Sequence, residues 1–117
     1  MLIGPSVVFT NIINPRSTIN RQNEYVKTRI GKGASIGANA TIVCGNDIGA
    51  FALVGAGAVI TEGILPYALV VGNPAKQIGW VSEYGHRLEF NSNHIAICKE
   101  SKQEYNLENS KVVKVKK

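Results

Sequence analysis

The residues best equipped for chemistry lie early in the chain. The stretch FTNIINPRSTINRQNEYV, residues 9–26, gathers Asn11, Asn14, Asn20, Asn23, Arg16 and Arg21 around Pro15. Amides both donate and accept hydrogen bonds, and a guanidinium presents a fixed fork of donors that matches a carboxylate or phosphate. None of these groups is a base at neutral pH. The segment is therefore suited to gripping and orienting a polar, anionic ligand, while each asparagine could instead serve a turn. His86 and His94, Cys44 and Cys98 all stand outside it. They form no Cys-His or Ser-His-Asp arrangement and no metal-ligand spacing, so no metal is expected.

What must position this stretch is a repeat. From Ile30 the chain reads in sixes: IGKGAS, IGANAT, IVCGND, IGAFAL, VGAGAV, ITEGIL. Ile30, Ile36, Ile42, Ile48, Val54 and Ile60 open the hexads, so a β-branched aliphatic recurs without a miss. The fifth position is small at Ala34, Ala40, Ala52 and Ala58, with Asn46 the polar exception. A period of six marks a parallel β-helix, in which each hexad supplies one short strand and one corner and three hexads close a triangular coil. The aliphatic points into the prism and the small residue fits beside it. The glycines of GKGASIG fall in this frame and lack the spacing of a dinucleotide loop.

Ile3 and Phe9 keep the same rhythm, and it resumes at Ile30. Residues 11–27 are thus expected as an excursion that leaves a coil corner and returns to the same coil, and long loops in compact repeats usually carry function. The coils are expected over 1–65. An extended segment bounded by Pro66 and Pro74, then a turn and short helix from Ala75, should fill 66–88. In 89–117, LEF, HIAICKES and EYNLENSKVVKV read as short strands of a β meander, with ENS a turn.

Totals narrow the function classes. A chain of 117 residues is read as one domain, and nothing in it approaches the run of about 20 apolar residues that a membrane helix needs. Two distant cysteines suggest no disulfide framework, which makes the cytoplasm the expected location. The net charge is +5, with Lys111, Lys114, Lys116 and Lys117 read as a solvated tail. No aromatic stacking platform accompanies that charge, so nucleic acid is not an expected partner.

The hexads, followed by VGAGAVIT and PYALVVGNPAK, resemble the left-handed β-helix hexapeptide-repeat acyltransferases. GASIGANATIVCG and VVGNPAKQIGWVSEYG look most like the nucleotide-sugar N-acetyltransferases of bacterial surface-polysaccharide (O-antigen, lipopolysaccharide) synthesis. The resemblance covers roughly residues 1–88. It implies an all-β, left-handed parallel β-helix, a homotrimer, acetyl-CoA as co-substrate, and a UDP-linked 3-amino-glucuronate type of acceptor. It also implies that Ala38 and Ala56, at corners one coil apart, let the pantetheine arm reach backbone groups. Thr61 and Lys76 would lie near the nucleotide end, with Lys76 a point charge for phosphate.

Relatives that act on sugar hydroxyls open a comparable loop with a His-Pro pair whose histidine is the general base. Here the matching pair looks like Asn14-Pro15, and asparagine cannot take a proton. An amine acceptor removes most of the need for a base, since a neutral amine attacks a thioester directly. Asn11 and Arg21 are then the residues expected to hold the sugar for reaction, with Asn14 and Arg16 as further substrate contacts. Enzymes of this kind carry more coils before the segment matching Ile3. Two alternative expectations follow: a truncated, non-catalytic trimeric β-helix protein, or a sugar O-acetyltransferase.

Overall fold

In the computed structural model, which describes residues 1–11 and 27–116, the chain forms eleven strands, and no described residue is helical. Seven of these strands build a three-sided coil. On one side Leu2–Ile3 (β1), Ser35–Ile36 (β3), Leu53–Val54 (β5) and Ala68–Val71 (β7) pair in parallel. On the second side Val8–Phe9 (β2), Thr41–Ile42 (β4) and Val59–Ile60 (β6) do the same. The third side is reduced to single parallel bridges, Ile30 to Ile48 and Ile48 to Ile64. Most strands are only two residues long because the chain must turn a corner every six.

The hexad positions build the core as their chemistry requires. Ile36, Ile42, Ile48, Val54 and Ile60 are at most 2% exposed. Burying each such side chain is worth about 1.5–3 kcal/mol. Ala34, Ala40, Ala52 and Ala58 are at most 1% exposed and occupy the space inside the corners, where a larger side chain would collide. The coils also touch through backbone at the corners. A Cβ on Gly37 would lie 2.5 Å from the backbone nitrogen of Ala56 in the next coil, closer than any real contact. Glycine there is a steric requirement of stacking.

Corner turns recur in columns of left-handed backbone. Ser6, Asn39 and Gly57 have φ of 61°, 63° and 73°, and Gly33, Phe51 and Tyr67 have φ of 70°, 59° and 64°. For Phe51 and Tyr67 this conformation costs about 1–2 kcal/mol each. Their rings stack with centroids 5.5 Å apart, which offsets part of that cost.

Two departures from a strict period matter. Ile36 pairs with Val54, 18 positions on, whereas Val54 pairs with Val70 and Ile48 with Ile64, 16 positions on. The turn after Ile60 is thus two residues shorter than a hexad. Before Ile30 the departure has the opposite sign: Leu2 pairs with Ser35 and Val8 with Thr41, 33 positions apart and fifteen more than a coil needs. Residues 12–26, which make up nearly all of the excursion expected at 11–27, lie outside the described residues.

The short helix expected after Ala75 is not present. Lys76–Trp80 is instead a strand (β8) that returns antiparallel along β7. The Gly72–Ala75 turn makes this possible, since Gly72 has φ 97° and the turn lies over β6, where Val59 N–H donates to Gly72 C=O (2.9 Å) and Ala75 N–H donates to Val59 C=O (2.9 Å). Gln77 and Gly79 then pair with Val70 and Leu69, so the backbone donors that a helix would satisfy internally go to the sheet edge. Helical spacing in AKQIGWVSEYG was outweighed by that free edge.

Ile95–Ile97 (β9), Glu104–Glu108 (β10) and Lys111–Lys116 (β11) make an antiparallel meander in the order β11-β10-β9. LEF, expected as a strand, contributes buried Leu88 and partly buried Phe90 to its core without forming one. The meander docks on the coil through Trp80, Phe51 and Tyr67, and the ring of Tyr67 meets that of Tyr105 edge-on at 5.4 Å. Glu83 is the polar centre of the joint. It accepts from Tyr67 Oη (3.1 Å), Gln103 Nε2 (3.4 Å) and Lys114 Nζ (3.1 Å), and its own N–H donates to Tyr105 Oη (2.9 Å). Burial pushes the Glu83 carboxyl up, but the hydrogen bonds from Lys114 and Tyr67 outweigh it and hold the group below the usual carboxylate value.

Two outcomes follow for stability. Gly37→Ala should cost about 1–3 kcal/mol by forcing the coils apart, and an unchanged denaturation midpoint would show that the corner yields. Glu83 contributes stability that is present above the ordinary carboxylate pKa and lost as pH falls through its lower folded value. Glu83→Gln should therefore lose about 1–2 kcal/mol at pH 7, and its gap from the parent should narrow as pH falls below the ordinary carboxylate range, as read by urea unfolding at pH 7 and in acid.

Candidate functional site

The second side of the coil, β2-β4-β6, separates two edges, and the residues expected to act fall on both. Ala38 and Ala56 stack on the edge before it. Gly57 N–H donates to Ala38 C=O (2.8 Å), which fixes the two alanines one coil apart. Ala56 is exposed, and a Cβ on its neighbour Gly57 would meet nothing within 4 Å, so this edge is open to a ligand running along it.

The other edge is built from Thr10 and Asn11, then Val43–Asp47, then Thr61–Gly63. Asn11 is exposed there, two strand spacings (about 10 Å) below Thr61. The described flanks of the expected excursion, Thr10–Asn11 and Arg29, lie at this edge. At its exit, Thr10 N–H donates to Ile42 C=O (3.0 Å) and Thr10 Oγ1 accepts from Cys44 N–H (2.9 Å). At its return, Arg29 N–H donates to Asp47 Oδ1 (2.8 Å) and Ile48 N–H to Arg29 C=O (2.9 Å). Both ends are thus tied to one corner, Cys44–Asp47. Asn14, Arg16 and Arg21 lie outside the described residues.

Thr61 and Lys76 meet in one pocket of about 270 Å³, lined also by Glu62, Gly63, Ala75 and Gln77. Two local features assemble it. The shortened turn after Ile60 is held by Ile64 N–H donating to Asp47 C=O (2.9 Å), which leaves Thr61, Glu62 and Gly63 all exposed at the rim. The Gly72–Ala75 turn crosses β6 and lays Lys76 beside them. The result is a shallow recess with an ammonium, a carboxylate, a hydroxyl and an amide at its mouth and Ile64, Leu65 and Val70 at its floor. It can hold a polar group that carries negative charge.

Thr61 and Lys76, expected near a nucleotide end, line this recess together with Glu62 and with Gln77, which sequence reasoning did not single out. The signal was present: Ile64, four positions after Ile60 rather than six, marks a turn that must push its residues outward. Neither histidine lines the pocket. His86 pairs with Glu100 (2.8 Å) on the meander, and His94 is exposed there. Cys98 is buried in the meander, where burial pushes the thiol up but hydrogen bonds with Ser101 and Ser82 bring it down to about 7, far from the coil edges. Among the described residues, no three His, Cys, Asp or Glu side chains are grouped to hold a metal ion. No described helix is long and apolar enough to cross a membrane.

No family model matches the chain. It is 50% identical over 74 residues to a dTDP-3-amino-3,6-dideoxy-α-D-galactopyranose 3-N-acetyltransferase of Aneurinibacillus thermoaerophilus, a match covering 63% of this chain and 38% of that protein. Among solved structures, the hexapeptide-repeat acetyltransferase VCA0836 of Vibrio cholerae, complexed with acetyl coenzyme A, superposes with a TM-score of 0.57 at 28% identity, over 68% of this chain and 45% of that one. PerB of Caulobacter crescentus, in complex with CoA and GDP-perosamine, superposes with a TM-score of 0.51 at 27% identity, over 66% and 30%. The first two of these are named as acetyltransferases, and the chain spans less than half the length of each of the three.

The two ties at the Cys44–Asp47 corner predict how firmly the excursion is anchored. Asp47→Ala removes the acceptor for Arg29 N–H and should cost about 0.5–1.5 kcal/mol, with faster amide exchange at Arg29 and Ile30 than elsewhere in the coil. Exchange that accelerates evenly along the chain would contradict a local anchor.

Proposed function

We propose that this chain is the acetyl-donor-binding part of an acetyl-CoA-dependent N-acetyltransferase that acts on the amino group of a nucleotide-linked 3-amino sugar. The observation that carries the reading is the recess where the Gly72–Lys76 turn sets Lys76 beside Thr61, on the edge from which the excursion emerges. The named activities of the relatives support it, since both a dTDP-amino-sugar acetyltransferase and a protein crystallised with GDP-perosamine are among them. They differ in nucleotide, so a UDP-linked 3-amino-glucuronate is one acceptor within the proposed class. The likeness to β-helix acetyltransferases supports a left-handed coil and a homotrimer with its ligands between subunits. It also fits a cytoplasmic place in surface-polysaccharide synthesis.

In this reading the donor runs along β2-β4-β6, its arm against Ala38 and Ala56 and its nucleotide end at Thr61 and Lys76. Asn11 and Arg21, with Asn14 and Arg16, hold the sugar near the thioester. The neutral amine attacks the thioester carbonyl, the new N–C bond forms, and the C–S bond breaks as the thiolate leaves. The surplus proton on nitrogen passes to water or to that thiolate. Catalysis then rests on holding amine and thioester together, an effect worth up to about 7–11 kcal/mol, and no histidine is asked to move a proton.

Release of free thiol from acetyl-CoA in the presence of UDP-, dTDP- or GDP-linked amino sugars tests this directly. We expect turnover with at least one amino sugar and none with the corresponding hydroxyl sugar. Activity should rise with pH as the amine deprotonates, without an inflection near pH 6.5 from a histidine base. Lys76→Ala should raise the KM for acetyl-CoA roughly two- to fivefold, the scale of an exposed charge pair. Absence of turnover with every amino sugar at millimolar concentration would leave the non-catalytic alternative standing, and activity on hydroxyl sugars alone would favour O-acetylation.

A further inference from the structure

β8 does not run regularly along β7. Trp80 pairs with Ala68 and Gly79 with Leu69, but Gln77 pairs with Val70 and Lys76 with Val71, so Ile78 is an extra residue inserted into β8. Such a bulge reverses the face of the sheet that the residues beyond it occupy. In a regular ladder Gln77 would stand opposite Val71, an exposed residue on the outer face of the coil. The bulge sets it opposite Val70 instead, whose side chain is buried in the prism, and paired residues share a face. Gln77 and Val70 accordingly line the recess together.

Arg87 holds this bulge. After β8 the chain turns back through Ser82–His86, where Ser82 N–H donates to His86 C=O (2.9 Å) and Leu88 N–H donates to Trp80 C=O (2.8 Å). A single antiparallel bridge joins Val81 to Arg87, which brings the guanidinium beside Ile78 and Gly79. Arg87 Nη2 donates to the carbonyl of Ile78, the residue that the bulge inserts. The guanidinium also lies against Gly79, where a Cβ would stand 3.0 Å from Nε and 3.1 Å from Nη2. Gly79 C=O in turn accepts from Gln77 Nε2 (3.3 Å). Arg87, the bulge and the Gln77 amide thus form one connected clasp that ends in the recess.

We infer that Arg87 is a positioning residue for the acyl donor, because it fixes the Ile78 bulge and so keeps the Gln77 amide aimed into the recess. This rests on the reading that the recess holds the nucleotide end of the donor. Arg87 acts there through Gln77 and not by touching the ligand. The role needs a planar fork, since an ammonium on a flexible stem does not lie flat on a glycine while it reaches the neighbouring carbonyl. Once the bulge is released, β8 can slip by one residue along β7, and Gln77 then returns to the outer face.

Calorimetric titration of the full chain with CoA tests this, with Arg87→Ala, Arg87→Lys, Gln77→Ala and the double variant of Arg87→Ala with Gln77→Ala. We expect each single variant to weaken CoA binding roughly two- to fivefold, the scale of one lost hydrogen bond. The double variant should bind no worse than the weaker of its two single variants, because both changes break the same clasp. Arg87→Lys keeps the charge and loses the fork, so its loss of affinity separates geometry from simple attraction to phosphate. Arg87 is exposed, so its variants should melt close to the parent. Should Arg87→Ala fail to fold, Arg87→Lys takes its place in the cycle with Gln77→Ala. Parent-like CoA binding by Arg87→Lys overturns the inference while leaving the donor site intact. So does parent-like binding by Gln77→Ala, or losses that simply add in the double variant. If the parent protein does not bind CoA, the donor-site reading itself fails and takes this inference with it.

Discussion

Close approach of backbone to backbone at the coil corners governs the rest of this molecule. Parallel strands of two residues offer few ladder hydrogen bonds each, so coils hold together only if successive corners stack without a gap. Gly37 beneath Ala56 shows how little room remains, since a single methyl would strike the next coil's backbone. The alanines inside the corners and the aliphatic columns in the prism are consequences of the same packing. A wider corner would open voids that those side chains could not fill.

That rigidity is what makes two irregularities useful. A coil locked in register tolerates extra chain only where both flanks meet at one corner, and Thr10 and Arg29, on either side of the fifteen additional positions, are both tied to Cys44–Asp47. A coil locked in register also converts a missing pair of residues into an outward turn. After Ile60 the side chains cannot be absorbed into the next side of the prism, so they line a recess. The flanks of the excursion and the recess share an edge because the same corner hosts both.

The meander attaches to this frame through a joint of a different kind. Phe51 and Tyr67 accept unfavourable left-handed backbone at a corner and present a stacked aromatic pair to Trp80 and Tyr105. Glu83 adds a partly buried carboxylate with donors on both sides of the boundary. Aromatic area gives the attachment its strength, while the carboxylate fixes its orientation, because its partners come from three separate segments.

The hexads were fully legible in the sequence, since period six with an unbroken aliphatic position and a small fifth residue admits one kind of packing. So was the chemical character of Asn11 and Lys76, which depends on residue type alone. Other features needed the third dimension. AKQIGW reads locally as helical, and only the free edge of β7 and the turn over β6 show that its donors are better used in a strand. Glu62 and Lys76 stand fourteen positions apart in the sequence, and only the two-residue deficit of the coil and the crossing of Gly72–Ala75 bring them to one recess. Periodicity determines what is buried because burial is decided within each coil. Which exposed residues share a site is decided between coils, by register differences that a local pattern does not carry.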